Sequence, residues 1–241
     1  RVISEGKTAA PKNGVDIVLS LDHNLQFVVE GKLRDALKKY EAESGSVVIM
    51  DIKSGAILAL ANEPTVDLNS YNLVASADQA VFTNRAVSDT WEPGSIFKTF
   101  ILATGMDKDL FDPETVLDLG CSAKIDGFEI KNAEEKCYNH PTITDVLTES
   151  INLGTIWAAD KIGNEMLGQA LSDFGFGQKP GLELQPDASG NLPASNKWRD
   201  VNRATISFGQ GISTSPVQIV AAYGAIANGG HLMHPYVVAK R

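Results

Sequence analysis

A serine and a lysine three positions apart, in Ser95-Ile96-Phe97-Lys98, are the first pair in this chain able to do covalent chemistry. On a helix that spacing puts hydroxyl and amine on one face, one turn apart, where they can share a proton. A serine hydroxyl is a poor nucleophile until a base removes its proton, and a lysine serves as that base when burial lowers its pKa toward neutrality. Trp91, Ile96 and Phe97 are the apolar neighbours expected to provide the burial. Pro93-Gly94 predicts a helix start at Ser95, where unpaired backbone N–H groups and the helix dipole favour developing negative charge. The backbone N–H of Ser95 is therefore a candidate oxyanion-hole donor.

Ser150-Ile151-Asn152 adds a second hydroxyl and an amide, suited to relaying a proton to a leaving group and to hydrogen-bonding a substrate amide. Both motifs are short, and about one Ser-x-x-Lys is expected by chance in a chain of this length. Ser4-Glu5-Gly6-Lys7, with no helix behind it, is such an accident, and Ser70-Tyr71-Asn72 repeats the second pattern in a loop before Ser95. Cys121 and Cys137 bracket a polar stretch and are compatible with one disulfide or two free thiols. With His140 they offer three zinc ligands, but no paired Cys-x-x-Cys or His-x-x-x-His accompanies them, so no metal is expected. His231 and His234 read as solvated side chains. Gly209-Gln210-Gly211 lacks the following lysine and preceding strand of a phosphate loop, and no cofactor is expected.

The elements that must position these groups show in the hydrophobic pattern. After a turn signal at Asn13-Gly14 and an apolar stretch over 15–19, Leu25, Val28, Val29, Leu33, Ala36, Leu37 and Tyr40 mark an amphipathic helix. Two apolar runs, 47–50 and 56–61, joined through Ser54-Gly55, predict a hairpin on which that helix packs. Residues 63–89 read as a long loop leading to a buried helix that carries Ile96, Phe97, Phe100, Ile101 and Leu102. Residues 112–141 are loop-rich, 142–149 and 153–162 read as two helices with Ser150 at their joint, and 172–214 read as a surface wrap. Ser215 as N-cap, Pro216 at the first position and Gln218 completing a capping box start a last helix over 217–227, which stops at Asn228-Gly229-Gly230.

A chain of 241 residues is long enough to bury about three-quarters of its unfolded surface in one domain. Its net charge of -9, without a basic cluster, argues against nucleic acid as a partner. No apolar run approaches the roughly 18 residues that cross a bilayer, and no leader follows Arg1, so any anchor or export signal the native protein has would lie upstream.

Read with their surroundings, the motifs become specific. Asn84-Arg85-Ala86-Val87-Ser88-Asp89-Thr90-Trp91-Glu92-Pro93-Gly94-Ser95-Ile96-Phe97-Lys98 resembles the nucleophile segment of the high-molecular-mass, class B penicillin-binding proteins. Ser150-Ile151-Asn152 stands where that family keeps its second motif. Phe208-Gly209-Gln210-Gly211-Ile212-Ser213, Ser215-Pro216 and Ala227-Asn228-Gly229-Gly230 look like its later landmarks. The resemblance runs from about Gly14 to the end, with residues 1–14 as the end of an upstream linker or pedestal and 15–241 as the transpeptidase domain.

The resemblance implies an α+β fold of the penicillin-binding protein and serine β-lactamase kind, with an antiparallel sheet flanked by helices and a mostly helical lobe. It implies Ser95 as nucleophile, Lys98 as base, Ser150 as proton relay and Asn152 as substrate ligand. The expected partners are a peptidoglycan stem peptide ending in D-Ala-D-Ala, β-lactam antibiotics, and a glycosyltransferase with other cell-wall synthesis proteins. The expected location is the extracytoplasmic face of the membrane, where Cys121 and Cys137 would pair as a disulfide.

The family's third motif, Lys-Thr-Gly or Lys-Ser-Gly on an inner strand after the second, is missing here, so the chain reads as incomplete at its C-terminus. Two rivals are a serine β-lactamase and a non-catalytic β-lactam sensor or division scaffold. Against the first, the match to the Glu-x-x-x-Asn segment that class A enzymes hold after the second motif, Glu135-x-x-x-Asn139, precedes Ser150 rather than following it.

Overall fold

The computed structural model describes residues 13–74 and 76–240. Most of the expected linker, including the Ser4–Lys7 tetrapeptide, lies outside the described residues. In chain order the elements are β1 (Val18–Leu19), α1 (His23–Tyr40), β2 (Gly45–Met50), β3 (Ile57–Glu63), α2 (Arg85–Ser88) and α3 (Lys98–Asp107). There follow β4 (Ser122–Ile125), β5 (Phe128–Lys131), α4 (Ile143–Thr148), α5 (Asn152–Ile162), α6 (Asn164–Asp173), α7 (Asp200–Ser207), α8 (Pro216–Ala227) and β6 (Val238–Lys240).

The first lobe grows from the β2–β3 hairpin, which is covered on both faces. Asp22 caps α1 by accepting the N–H of Leu25 at 2.9 Å, and Val29 and Leu33 of that helix pack with Val47, Ile49, Ala59 and Ala61. The opposite face, Val48, Met50 and Leu60, meets Val87, Leu182, Val217 and Val237. Strict alternation would put Ile57 on the α1 side with Ala59. The register instead jumps from Ile49↔Ala59 to Met50↔Ile57, and this bulge at Leu58 lets Ile57 join the other face. Among the described residues the strands form three antiparallel ribbons, β1–β6, β2–β3 and β4–β5. The first is tied to the second by Ile57 N–H donating to Tyr236 O at 2.9 Å.

The second lobe is helical, as expected from the sequence. Phe97, Phe100, Ile101 and Leu102 are buried with Val146, Ile151, Ala158, Leu167 and Leu171, so α3 runs through a core built by α4, α5 and α6. Two expectations are corrected here. The loop-rich stretch holds the β4–β5 hairpin, whose two-residue turn Asp126-Gly127 has φ of 50° and 86°, the positive pair that matches strand twist. Residues 172–214 are more than a surface wrap, because α7 lies within them and Phe176, Leu182, Trp198 and Ile206 are buried. Part of the expected loop before Ser95 is also ordered, as 3-10 turns Tyr71–Leu73 and Ser76–Phe82 and the short α2.

Candidate active site

Ser95 lies in a 3-10 turn, Gly94–Phe97, that runs straight into α3. Residues three apart eclipse in such a turn, so Ser95 and Lys98 stack on one side, and the Lys98 N–H donates to the Ser95 carbonyl. The turn divides its residues sharply. Ser95 is exposed and Ile96 is 44% exposed, while Phe97 and Lys98 are fully buried. Trp91 is 41% exposed, so neither it nor Ile96 supplies the apolar jacket the sequence suggested. Lys98 is buried instead because it is the first residue of a helix that enters the core.

The turn is held from outside by the segment after α7. Trp91 and Thr214 exchange backbone hydrogen bonds at 3.1 and 3.0 Å, and Gly94 N–H donates to Gly209 O at 3.0 Å. Glu92 Oε1 accepts the N–H of Gly211 at 2.8 Å. Gly209 has φ 77°, and a Cβ there would sit 2.2 Å from Gly94 O. Glycine is required by both conformation and space. From α8, Tyr223 OH donates to Ile96 O at 2.7 Å and lies 3.1 Å from the Thr99 hydroxyl.

Lys98 Nζ has three donors, and all three are used. It donates to Ser150 O at 2.5 Å, Ser150 Oγ at 3.0 Å and Asn152 Oδ1 at 2.8 Å. The amine therefore bridges the two short motifs rather than bonding directly to Ser95 Oγ. Ser150 stands at the break between α4 and α5 with φ 55°, a left-handed conformation costly for a residue with a Cβ. That break presents both its carbonyl and its hydroxyl to the lysine.

Burial lowers the Lys98 pKa to about 8. No carboxylate pairs with it among the described residues, so desolvation acts unopposed. A neutral lysine keeps two donors and gains one acceptor. The arrangement can thus take up a proton and exchange it with a neighbouring hydroxyl.

Asn152 is fixed from the other side, where its Nδ2 donates to Lys131 O at 3.2 Å. Asn132, next in the chain, accepts the N–H of Leu153 at 3.0 Å and donates to Lys136 O at 2.9 Å. Cys121 and Cys137 are bonded to each other, S–S 2.05 Å and Cα–Cα 4.7 Å, closing the loop that carries β4 and β5. Their thiols are not free to join His140 around zinc, and no cluster of three or more metal-ligating side chains occurs among the described residues. A surface cavity lined by Asp107, Met166, Asp173 and Leu232 among others touches none of the four motif residues.

A family model described as "Penicillin binding protein transpeptidase domain" matches residues 45–241. The chain belongs to this family. Its relatives are of the class B branch. Stage V sporulation protein D of Bacillus subtilis is 35% identical over 233 residues, covering 95% of this chain and 35% of that protein. Peptidoglycan D,D-transpeptidase FtsI of Escherichia coli is 33% identical over 240 residues, covering 100% of this chain and 40% of that protein. Among solved structures, Penicillin binding protein 3 of Mycobacterium tuberculosis complexed with aztreonam superimposes with a TM-score of 0.87 at 32% identity, over 92% of this chain and 49% of that one. The chain thus spans well under two-thirds of the length of these relatives. Lys53-Ser54-Gly55 has the letters of the penicillin-binding proteins' third motif. It is the β2–β3 turn, closed by Ser54 Oγ donating to Asp51 Oδ2 at 2.6 Å, and it precedes the other two motifs.

Proposed function

We propose that this penicillin-binding domain is the D,D-transpeptidase part of a longer peptidoglycan synthesis protein. The observation that carries the proposal is a buried lysine with a pKa near 8 between an exposed serine one turn away and a second Ser-x-Asn motif. Neutral Lys98 takes the proton of Ser95, whose Oγ attacks the carbonyl of the penultimate D-alanine. The N–H of Ser95 supports the resulting oxyanion. The amide C–N bond breaks, Ser150 passes a proton to the leaving amine, and D-alanine departs. An amine from a neighbouring stem peptide then takes the acyl group from Ser95, restoring the serine. Asn152 aligns the substrate amide. β-Lactams acylate the same serine as mimics of the D-Ala-D-Ala end.

The whole protein would act on the extracytoplasmic side, held by an anchor upstream of this segment and working beside a glycosyltransferase. Glu135 does not favour the β-lactamase reading, because its carboxylate is exposed and paired with Lys131 at 3.2 Å. The test is turnover of a stem pentapeptide by the protein extended through its third motif, with an amine acceptor present. Release of D-alanine together with the cross-linked product supports the proposal. Acylation by penicillin without any D-alanine release points to a sensor, and rapid multiple-turnover penicillin hydrolysis points to a β-lactamase.

A further inference from the structure

Helix α5 begins with a fault that another part of the chain repairs. Its N-cap is Ile151, fully buried and without a side-chain acceptor, so the first-turn N–H groups need partners from elsewhere. Asn132 provides one. It lies just past β5, is only 6% exposed, and its Oδ1 receives the Leu153 N–H at 3.0 Å. Its other end is also committed, with Nδ2 donating to Lys136 O at 2.9 Å, so the amide is held in one orientation.

The same hairpin reaches the site at a second point. Lys131 O, one residue before, accepts the Asn152 Nδ2 at 3.2 Å, while Asn152 Oδ1 receives Lys98 Nζ at 2.8 Å. Apolar contact seats the hairpin on the helix, because Ala123, Ile125 and Ile130 pack with Leu153 and Ile156. Turning Asn132 away would leave a buried N–H without an acceptor and free the Lys131 carbonyl to drift. Both changes fall on the residues that flank and orient Asn152.

We propose that Asn132 is a positioning residue for the Ser150-Ile151-Asn152 unit, acting as the N-cap that α5 lacks. The inference rests on the transpeptidase reading above and extends it to a residue outside the three family motifs. Its role is separable from general stability, since an aspartate keeps the acceptor for Leu153 while its second oxygen, turned toward the Lys136 carbonyl, gives up that contact and adds a charge.

The experiment measures the second-order acylation rate with a chromogenic cephalosporin on the full-length protein. Asn132→Ala is expected to slow acylation by about ten-fold to a hundred-fold, the range a displaced catalytic group produces. Asn132→Asp, which keeps the Leu153 acceptor but sets a carboxylate against the Lys136 carbonyl, is expected to recover part of the rate. Leu167→Ala, a core truncation in α6, is the control, expected to lower the melting temperature while leaving acylation unchanged well below it. Should Asn132→Ala not fold, Asn132→Gln sets the same amide one methylene too far out and gives the same readout. Wild-type acylation in the folded alanine or glutamine variant overturns the inference. If the unsubstituted protein is not acylated at all, the transpeptidase reading fails instead.

Discussion

Lys98 and Ser150, fifty-two residues apart, meet through two hydrogen bonds, Nζ to the backbone carbonyl at 2.5 Å and Nζ to Oγ at 3.0 Å. The carbonyl bond anchors the amine whatever its protonation state, and the hydroxyl bond is the one that can reverse when the amine is neutral. A lysine held in this way is placed to act as a base and is released from the usual lysine pKa by its burial alone.

The rate of acylation is therefore expected to follow the neutral fraction of Lys98. With a pKa of about 8 the rate climbs about ten-fold between pH 7 and pH 9 and then levels. Lys98→Arg, which stays charged throughout, removes the rise and costs about a hundred-fold to ten-thousand-fold in rate. Stopped-flow acylation across that range checks both, and a wild-type profile that falls from pH 7 to pH 9 contradicts the assignment.

Stability carries the same signature with a definite sign. Lys98 titrates near 8 in the folded chain against 10.5 ordinarily. Between those values the unfolded chain holds a proton that the folded chain does not, so stability rises with pH across the window. Below pH 8 the cost of burying the cation is fully present, and above pH 10.5 it is gone. The rise is up to about 3 kcal/mol. Urea unfolding at several pH values should show it as the difference between wild type and Lys98→Met. Parallel stability curves for the two proteins would refute it.

The glycines behind the nucleophile turn differ in what they tolerate. Gly209→Ala meets the Gly94 backbone at 2.2 Å in addition to its positive φ, whereas Gly211→Ala, with φ 76°, approaches only the Thr205 hydroxyl at 3.4 Å. The second substitution should cost about 1–2 kcal/mol from conformation alone. The first should cost more and suppress penicillin labelling by displacing Ser95. Thermal unfolding and labelling of the two variants give the ranking directly.

The Cys121–Cys137 bond closes a loop with a sequence separation of 16, for which chain entropy predicts a contribution of about 3 kcal/mol. Replacing both cysteines by serine should lower unfolding stability by up to that amount. Intact mass should rise by about 2 Da on reduction, as the chemistry of one disulfide requires. An unchanged mass would show that the thiols are free.

Local signals carried much of this architecture. The apolar runs 47–50 and 56–61 and the Ser54-Gly55 turn announced the hairpin, and the Ser215/Gln218 capping box marked the start of α8, where both reciprocal bonds form at 2.8 and 3.3 Å. The four motif residues were legible because short patterns agreed with their helical settings and with family order. The β4–β5 hairpin was missed because its short strands are mostly exposed and show little apolar alternation, although Asp126-Gly127 was a readable turn signal. The eight residues of α7 are too few for a clear helical period. Nothing local could announce Asn132 against Leu153 or Tyr223 against Ile96, because those pairings exist only once distant elements are packed.

The central claim is that Ser95 is the nucleophile, set against Lys98 and the second motif. The direct measurement is labelling of the full-length protein by a fluorescent penicillin, followed by mass spectrometry of the modified peptide. The adduct is predicted on Ser95, with no label on a folded Ser95→Ala variant. An adduct on another residue, or full labelling of folded Ser95→Ala, would contradict the account.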